Sequence, residues 1–336
     1  MIGRIGFACK YMDDNEETVE ELNTRTTTVA WLNRQTREVA EQRLWDIMQH
    51  NIAAVGRLVD TVGDNDVHLR MVRLSSDILP VYTEPNWRYF WQLADVRRTA
   101  EQLFVKVGSI ARDKDVRVSF HPGQFTVLAS DNEDVVNRSI EEFEYHVDMA
   151  RWMGFGRKFQ DFKINVHISG KKGPAGIISA LSRLSSEARN CITIENDEIS
   201  WGLDASLELA GHLGLVLDVH HHWVKTGEYI DPSDDRVKRV IDSWRGVRPV
   251  LHFSVSREDG LLERDVERLP QLSLLLEQGY KKQKLRAHSD YYYNPLVNDW
   301  ALTFGRDFDI MCESKMKNLA SRKLFEHWQL KQKIAA

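Results

Sequence analysis

Short apolar runs rich in Val and Ile alternate with longer stretches of helical periodicity along the whole chain. The strand-like runs fall at 2–9, Val67–Leu74, Val116–Phe120, Ile164–Ile168, Cys191–Glu195, Leu215–Val219, Val247–Phe253 and Asp309–Cys312. Helices are expected after them at 37–59, 87–112, 134–153, 174–188, 204–212, 232–243, within 263–278, and near 315–332. In the first, Val39, Leu44, Ile47, Ile52, Val55 and Leu58 recur on related faces, as an amphipathic helix requires. Residues 11–36 are polar, a long loop or a partly helical insertion, and 281–307 is a long Tyr-rich connection. Runs this apolar suit parallel strands covered on both sides. Eight repeats of strand then helix predict an α/β fold that closes into a TIM (β/α)8 barrel, one catalytic domain over 1–336.

In such a barrel the C-terminal ends of all strands open on one face. His121, His167, Glu195, Asp218, His252 and Glu313 each fall at a predicted strand end, and His221 lies just beyond one. Residues distant in sequence thereby become neighbours, and a polynuclear metal centre is expected at that face. Each has a plainer reading: a loop residue for His121, a hydrogen-bonded core imidazole for His167, an arginine partner for Glu195. Period-2 alternation puts Asn165 and His167 on one side of their strand. Asp218-Val-His-His-His222 is the sharpest local signal. Three adjacent histidines cannot point one way, so some of His220 and His222 are expected to pack or to orient ligands. His288-Ser-Asp290 opens the Tyr291–Tyr293 segment and adds an eighth ligand candidate.

The imidazole and carboxylate set suits Mn or Zn, lacks Cys ligands and is too His-rich for Mg alone; two or three divalent ions are expected, Mn foremost, with Zn or Mg possible. One ion would generate hydroxide and the others would hold the phosphate and the leaving oxygen, the needs of a diester hydrolase. Ser169-Gly170-Lys171-Lys172-Gly173 lacks the full Walker pattern, so a nucleotide P-loop is rejected.

Composition narrows the setting. The chain has 336 residues, 42% hydrophobic, enough to bury a large core without staples. Three cysteines make no disulfide framework and read as thiols in a reducing compartment. With no membrane-length apolar run and no signal-type start, cytoplasmic residence is expected. The formal net charge of -5 is no footprint of a bulk nucleic-acid binder, though bound metal would offset acids. Lys281, Lys282, Lys284 and Arg286 form the one candidate basic patch, or else a solvated loop.

These motifs resemble, in order and over nearly the whole chain, those of the ultraviolet-damage endonuclease family: RIGFAC at 4–9, HPGQF at 121–125, IENDE at 194–198, DVHHH at 218–222, HFS at 252–254, HSDY at 288–291 and CESK at 312–315. The resemblance implies a metal-dependent barrel related to an apurinic-site endonuclease and to sugar isomerases. It implies incision of damaged double-stranded DNA on the 5′ side of cyclobutane pyrimidine dimers and 6-4 photoproducts; separately, a monomer is expected. It carries the metal ligands over to His121, His167, Glu195, Asp218, His221, His252, His288 and Glu313, with Glu195, His121, His167, Asp218 and Glu313 as the catalytic set. Gln124 and Phe125 correspond to the pair that enters the duplex, and Tyr11, Lys281 and Lys282 complete the expected DNA contacts. The chain departs from the family at Phe7, where Tyr is common, at Tyr11 (Asn), at Phe125 (Tyr), and at Val250, where a metal-proximal Lys can stand. An apurinic-site nuclease, a sugar isomerase and a non-catalytic DNA-binding barrel are the alternatives.

Overall fold

The computed structural model describes residues 2–257 and 266–335. Eight parallel strands close into a barrel in sequence order: β1 (Ile5–Ala8), β2 (Met71–Arg73), β3 (Arg117–Phe120), β4 (Lys163–His167), β5 (Ile192–Glu195), β6 (Gly214–Asp218), β7 (Val250–Phe253) and β8 (Asp309–Cys312), with β8 paired back onto β1. Outward residues such as Ile5, Phe7, Val72, Ile164, Ile194, Leu217 and Leu251 join the core beneath the helices. Each fully buried Leu, Ile or Phe there contributes about 1.5–3 kcal/mol. The first long helix, Arg37–Gly63, turns Leu44, Met48, Ile52, Val55 and Val59 onto this layer, and the Thr36 hydroxyl accepts from the amide of Val39 at its start. Asn132 caps Glu133–Trp152 in the same way.

The barrel interior is layered. At the N-terminal ends of the strands, Asp309 pairs with Arg117 at 2.7 Å and Arg248 at 2.9 Å, closing the base. Above it Ala8, Met71, Val216, Val250 and Met311 form an apolar plug with Trp244, separate from the outer core. The third layer is polar, and it is where the ligand candidates stand. The register sets His167 beside Glu195 and Asp218 beside His252.

Several boundaries differ from those expected. Val67–Leu69 is a 3-10 turn, because Asp66 accepts from the amide of His68 and coils the chain before β2 begins. The helix expected over 87–112 breaks at Leu93, whose extended backbone separates Arg88–Gln92 from Ala94–Asp113. The one expected over 174–188 is two, because Ser185 caps a new start at Ser186–Cys191. The insertion at 11–36 carries helices Glu16–Leu22 and Val29–Leu32, and 281–307 carries Lys282–Leu285 and Pro295–Thr303. The helix expected within 263–278 is seen at Leu272–Glu277, and positions 263–265 lie outside the described residues. Among the described residues no helix is long and apolar enough to cross a membrane.

Candidate metal centre

Glu195, the last residue of β5, is the hub. Its Oε2 lies 3.1 Å from Nδ1 of His252 and 3.3 Å from Nε2 of His121, and its Oε1 lies 3.3 Å from Nδ1 of His221. His252 Nδ1 is also 3.3 Å from Glu313 Oε1. Three overlapping groups bring their donor atoms within 4.8 Å of one another: His121, Glu195 and His252; His167, Glu195 and His221; and Glu195, Asp218, His252 and Glu313. Seven of the eight expected ligands thus converge. His288 lines the same pocket but stands outside these groups, with its Nδ1 2.9 Å from the Glu313 carbonyl.

The residues fit a cation cluster. Nδ1 of His167, Oε1 of Glu195, Oδ2 of Asp218 and Nδ1 of His252 are buried with no hydrogen-bond partner. Buried polar atoms without partners are rare and costly, and four aimed into one space are what positive ions would satisfy. The protein's own charges set ligating protonation states at His121, His252, His288, Glu195 and Glu313, and the opposite states at Asp218 and His221, whose protons a bound cation would displace. Burial pushes His121 down to about 4 and lowers His252 and His288, leaving imidazole lone pairs free. Burial would raise Glu195, but His252 and His167 outweigh it and hold it well below the usual carboxylate range. Glu313 is likewise held low against burial, chiefly by Arg73 and His252. Asp218 moves up, through burial and the nearby Glu195 and Glu313 charges. Burial opposes protonation of His221, yet Asp218, Glu195 and Glu198 raise it to about 10.

The three adjacent histidines divide as helical geometry demands. Val219–Thr226 is a helix, not the end of a strand, because the Asp218 carboxylate accepts from the amide of His221 at 2.6 Å. Successive side chains therefore point about 100° apart. His221 enters the centre, His220 lies 2.8 Å from Ser254 Oγ and 3.2 Å from Ser256 Oγ, and His222 reaches Glu228 at 2.8 Å.

The substrate-side residues separate into two sets. Gln124 lines the metal pocket and Phe125 is 84% exposed at the tip of the same turn. Tyr11 does not line the pocket: its ring packs edge-on to Phe7 and its amide is bound by Asn23. Phe7 faces the outer core, so the missing hydroxyl at position 7 faces away from the barrel interior. Lys281 is exposed and Lys282 donates to the Lys225 carbonyl at 2.8 Å, whereas Arg286 reaches the pocket and pairs with Glu198 at 3.1 Å.

Two residues escaped the sequence reading. Arg73 ends β2 inside the pocket and pairs with Glu313. Lys163 begins β4, buried, with Nζ 2.9 Å from Nε2 of His252, and burial lowers it to about 7. The signal was present: the alternation that placed Asn165 and His167 inside the barrel places Lys163 there too.

The family model described as UV-endonuclease UvdE matches residues 3–336. A UV DNA damage endonuclease of Bacillus velezensis is 26% identical over 317 residues, covering 90% of this chain and 88% of that protein. One from Bacillus cereus is 24% identical, covering 88% and 86%. Among solved structures, the crystal structure of SacUVDE superposes with a TM-score of 0.72 at 21% identity, covering 98% of both chains. Endonuclease IV from Thermus thermophilus gives 0.55 at 13% identity, covering 82% of this chain and 94% of that one.

Proposed function

The chain belongs to the UV-endonuclease UvdE family and is an endonuclease of ultraviolet-damaged DNA; we propose that it cuts duplex DNA on the 5′ side of cyclobutane dimers and 6-4 photoproducts. The observation that carries the site assignment is that three groups of buried and half-buried His, Asp and Glu donors share Glu195 at the mouth of the barrel, and that Glu195, His167, Asp218 and His252 each keep a buried atom without a hydrogen bond. We assign His121, His167, Glu195, Asp218, His221, His252 and Glu313 as the residues that hold two or three divalent ions, Mn foremost, with Zn equally compatible with the donor set. His288 borders them. Bound ions would activate water and neutralise the phosphate during in-line displacement.

The chain's own groups supply the rest. Arg73 and Arg286 present guanidinium groups to the pocket, where they would meet phosphate oxygens. The Pro122-Gly123 turn projects Gln124 and Phe125 from the pocket rim. There the amide would bond base edges and the ring would fill the vacancy left by turned-out nucleotides. Hydrolysis adds water across the P–O3′ bond and leaves a 3′-hydroxyl. We read residues 1–336 as one catalytic domain, acting as a monomer in the cytoplasm.

The test is Mn-dependent nicking of an end-labelled duplex carrying one cyclobutane dimer, with undamaged and apurinic duplexes alongside. Cutting immediately 5′ to the dimer, lost with chelator and in Glu195→Gln, is the expected result. Cutting of the apurinic duplex alone would make the enzyme an apurinic-site nuclease instead.

A further inference from the structure

Among the described residues, the most exposed large apolar side chains are Phe125, Ile334 and Ile199, at 84%, 74% and 62%. Ile334 lies near the end of the terminal helix. Phe125 and Ile199 stand on the loops that follow β3 and β5, whose neighbouring residues Gln124 and Glu198 line the metal pocket together. Phe125 would fill the vacancy left by turned-out nucleotides, and Ile199 is exposed on the same rim.

The loop that carries Ile199 is held rigidly. The Asp197 carboxylate accepts from the amides of Ile199 and Ser200, both at 2.6 Å, and the Asp197 amide donates to the Trp201 carbonyl at 2.9 Å. Trp201 in turn donates through its indole nitrogen to the Gly170 carbonyl at 2.8 Å. Lys225 Nζ donates to the carbonyl of Ile199 itself at 3.2 Å. The aliphatic side chain is thus presented to water by a turn fixed on three sides, where a polar residue would be the ordinary choice. Cations are linked to this loop: Lys225 through the Ile199 carbonyl, Lys282 through the Lys225 carbonyl, and Arg286 through the preceding Glu198.

We propose that Ile199 is a second wedge, which enters a base step of the duplex while Phe125 enters another. This inference rests on the DNA-endonuclease reading and adds to it a residue and a contact. Branched aliphatic side chains are among those that pry apart base steps, and the work of unstacking is offset by contacts that the bent duplex then makes. Lys225, Lys282 and Arg286 would hold the flanking phosphates and set the wedge in register. Two wedges on separate loops of the pocket rim would open the helix on both sides of the nucleotides to be turned out. Damaged steps, already poorly stacked, would yield first.

The test uses the full-length protein and a duplex with one cyclobutane dimer and 2-aminopurine in the adjoining step. Fluorescence on binding, with chelator present, reports unstacking without cutting. Single-turnover incision with Mn is read separately. In Ile199→Ala the fluorescence rise should shrink and incision should slow about tenfold, whereas Ile199→Met keeps both. Placing a mismatch at the adjoining step, so that it is already open, should restore Ile199→Ala to within about twofold of the parent protein. An unchanged fluorescence rise in Ile199→Ala overturns the proposal, and so does equal slowing on intact and pre-opened duplexes, the mark of a merely structural role. A parent protein that unstacks the duplex but never cuts it would overturn the nuclease reading, while the comparison of fluorescence would still decide the wedge.

Discussion

Lys163 on β4 places its Nζ 2.9 Å from Nε2 of His252 on β7, and both side chains are buried inside the barrel. The contact fixes which imidazole nitrogen does what: with Nε2 facing the amine, Nδ1 is turned to Glu195 and Glu313. The family resemblance raised a lysine two residues before His252, where this chain has Val250. Val250 packs in the apolar plug, and an amine reaches the same histidine from across the barrel instead.

Replacing Lys163 with Met should therefore weaken the centre and relieve the fold. Partners that orient a ligand typically cost about 10–100-fold in metal affinity or activity when removed, and that loss is expected in Mn titrations of incision. The stability effect has the opposite sign. Burial lowers Lys163 to about 7, against about 10.4 for a free lysine. Between those values the unfolded chain binds the proton and the folded one does not, so stability rises with pH across that window. The penalty is full below about 7. Thermal melting in chelator should show Lys163→Met gaining more over the parent at pH 6 than at pH 9; equal gains at both would remove Lys163 as the cause.

Arg73 at the end of β2 and Glu313 just past β8 form a largely buried pair beside His252. Removing one partner of such a pair costs about 3–5 kcal/mol, because the other charge is left buried alone. In Arg73→Met the Glu313 carboxyl loses the strongest of the charges that hold it low against burial. A depressed carboxylate contributes stability above its unfolded pKa that is lost as pH falls through the folded value. The parent should accordingly keep its melting temperature further into acid than Arg73→Met does, and a parallel decline of the two curves would refute the assignment.

Asp218 serves two ends. One carboxylate oxygen accepts from the amide of His221 and starts the helix; the other is buried without a partner and turned to the centre. Asn keeps a cap and loses the anionic ligand, whereas Ala loses both. Asp218→Asn should abolish incision at near-parental stability, and Asp218→Ala should also lose about 1 kcal/mol or more in denaturant unfolding. Equal stability of the two variants would show that the cap is not used.

The barrel and most of the centre were legible because both rest on short-range patterns. Period-2 strands ending in His, Glu or Asp declare an inward ligand at the open face, and parallel closure does the rest. What escaped depends on tertiary context. The strand boundary at Val219 was overridden by the Asp218 cap, which no periodicity reports. The Lys163–His252 contact spans 89 positions and three strands of the barrel. Of the expected cationic patch Lys281, Lys282, Lys284 and Arg286, the arginine lines the pocket, and the three lysines lie on or just before the local helix Lys282–Leu285 outside it. Tyr11 was placed by motif alignment alone, and its contacts with Phe7 and Asn23 hold it away from the pocket.

Phe125 offers the sharpest test of how the duplex is opened. Its ring is 84% exposed, so the fold gains little from it and its removal should leave melting unchanged. Stacking of a base on an aromatic ring is worth about 1–3 kcal/mol, so Phe125→Ala should slow incision of a dimer-bearing duplex about 10–100-fold. Phe125→Tyr keeps the ring and adds a hydroxyl, and should cut at least as fast as the parent. Gln124→Ala, which removes only the bond to a base edge, should act chiefly on the choice between damaged and undamaged duplex. If Phe125→Ala cuts at the parental rate under single-turnover conditions, the ring is not the element that fills the opened stack, and the wedge function would rest on other residues of the rim.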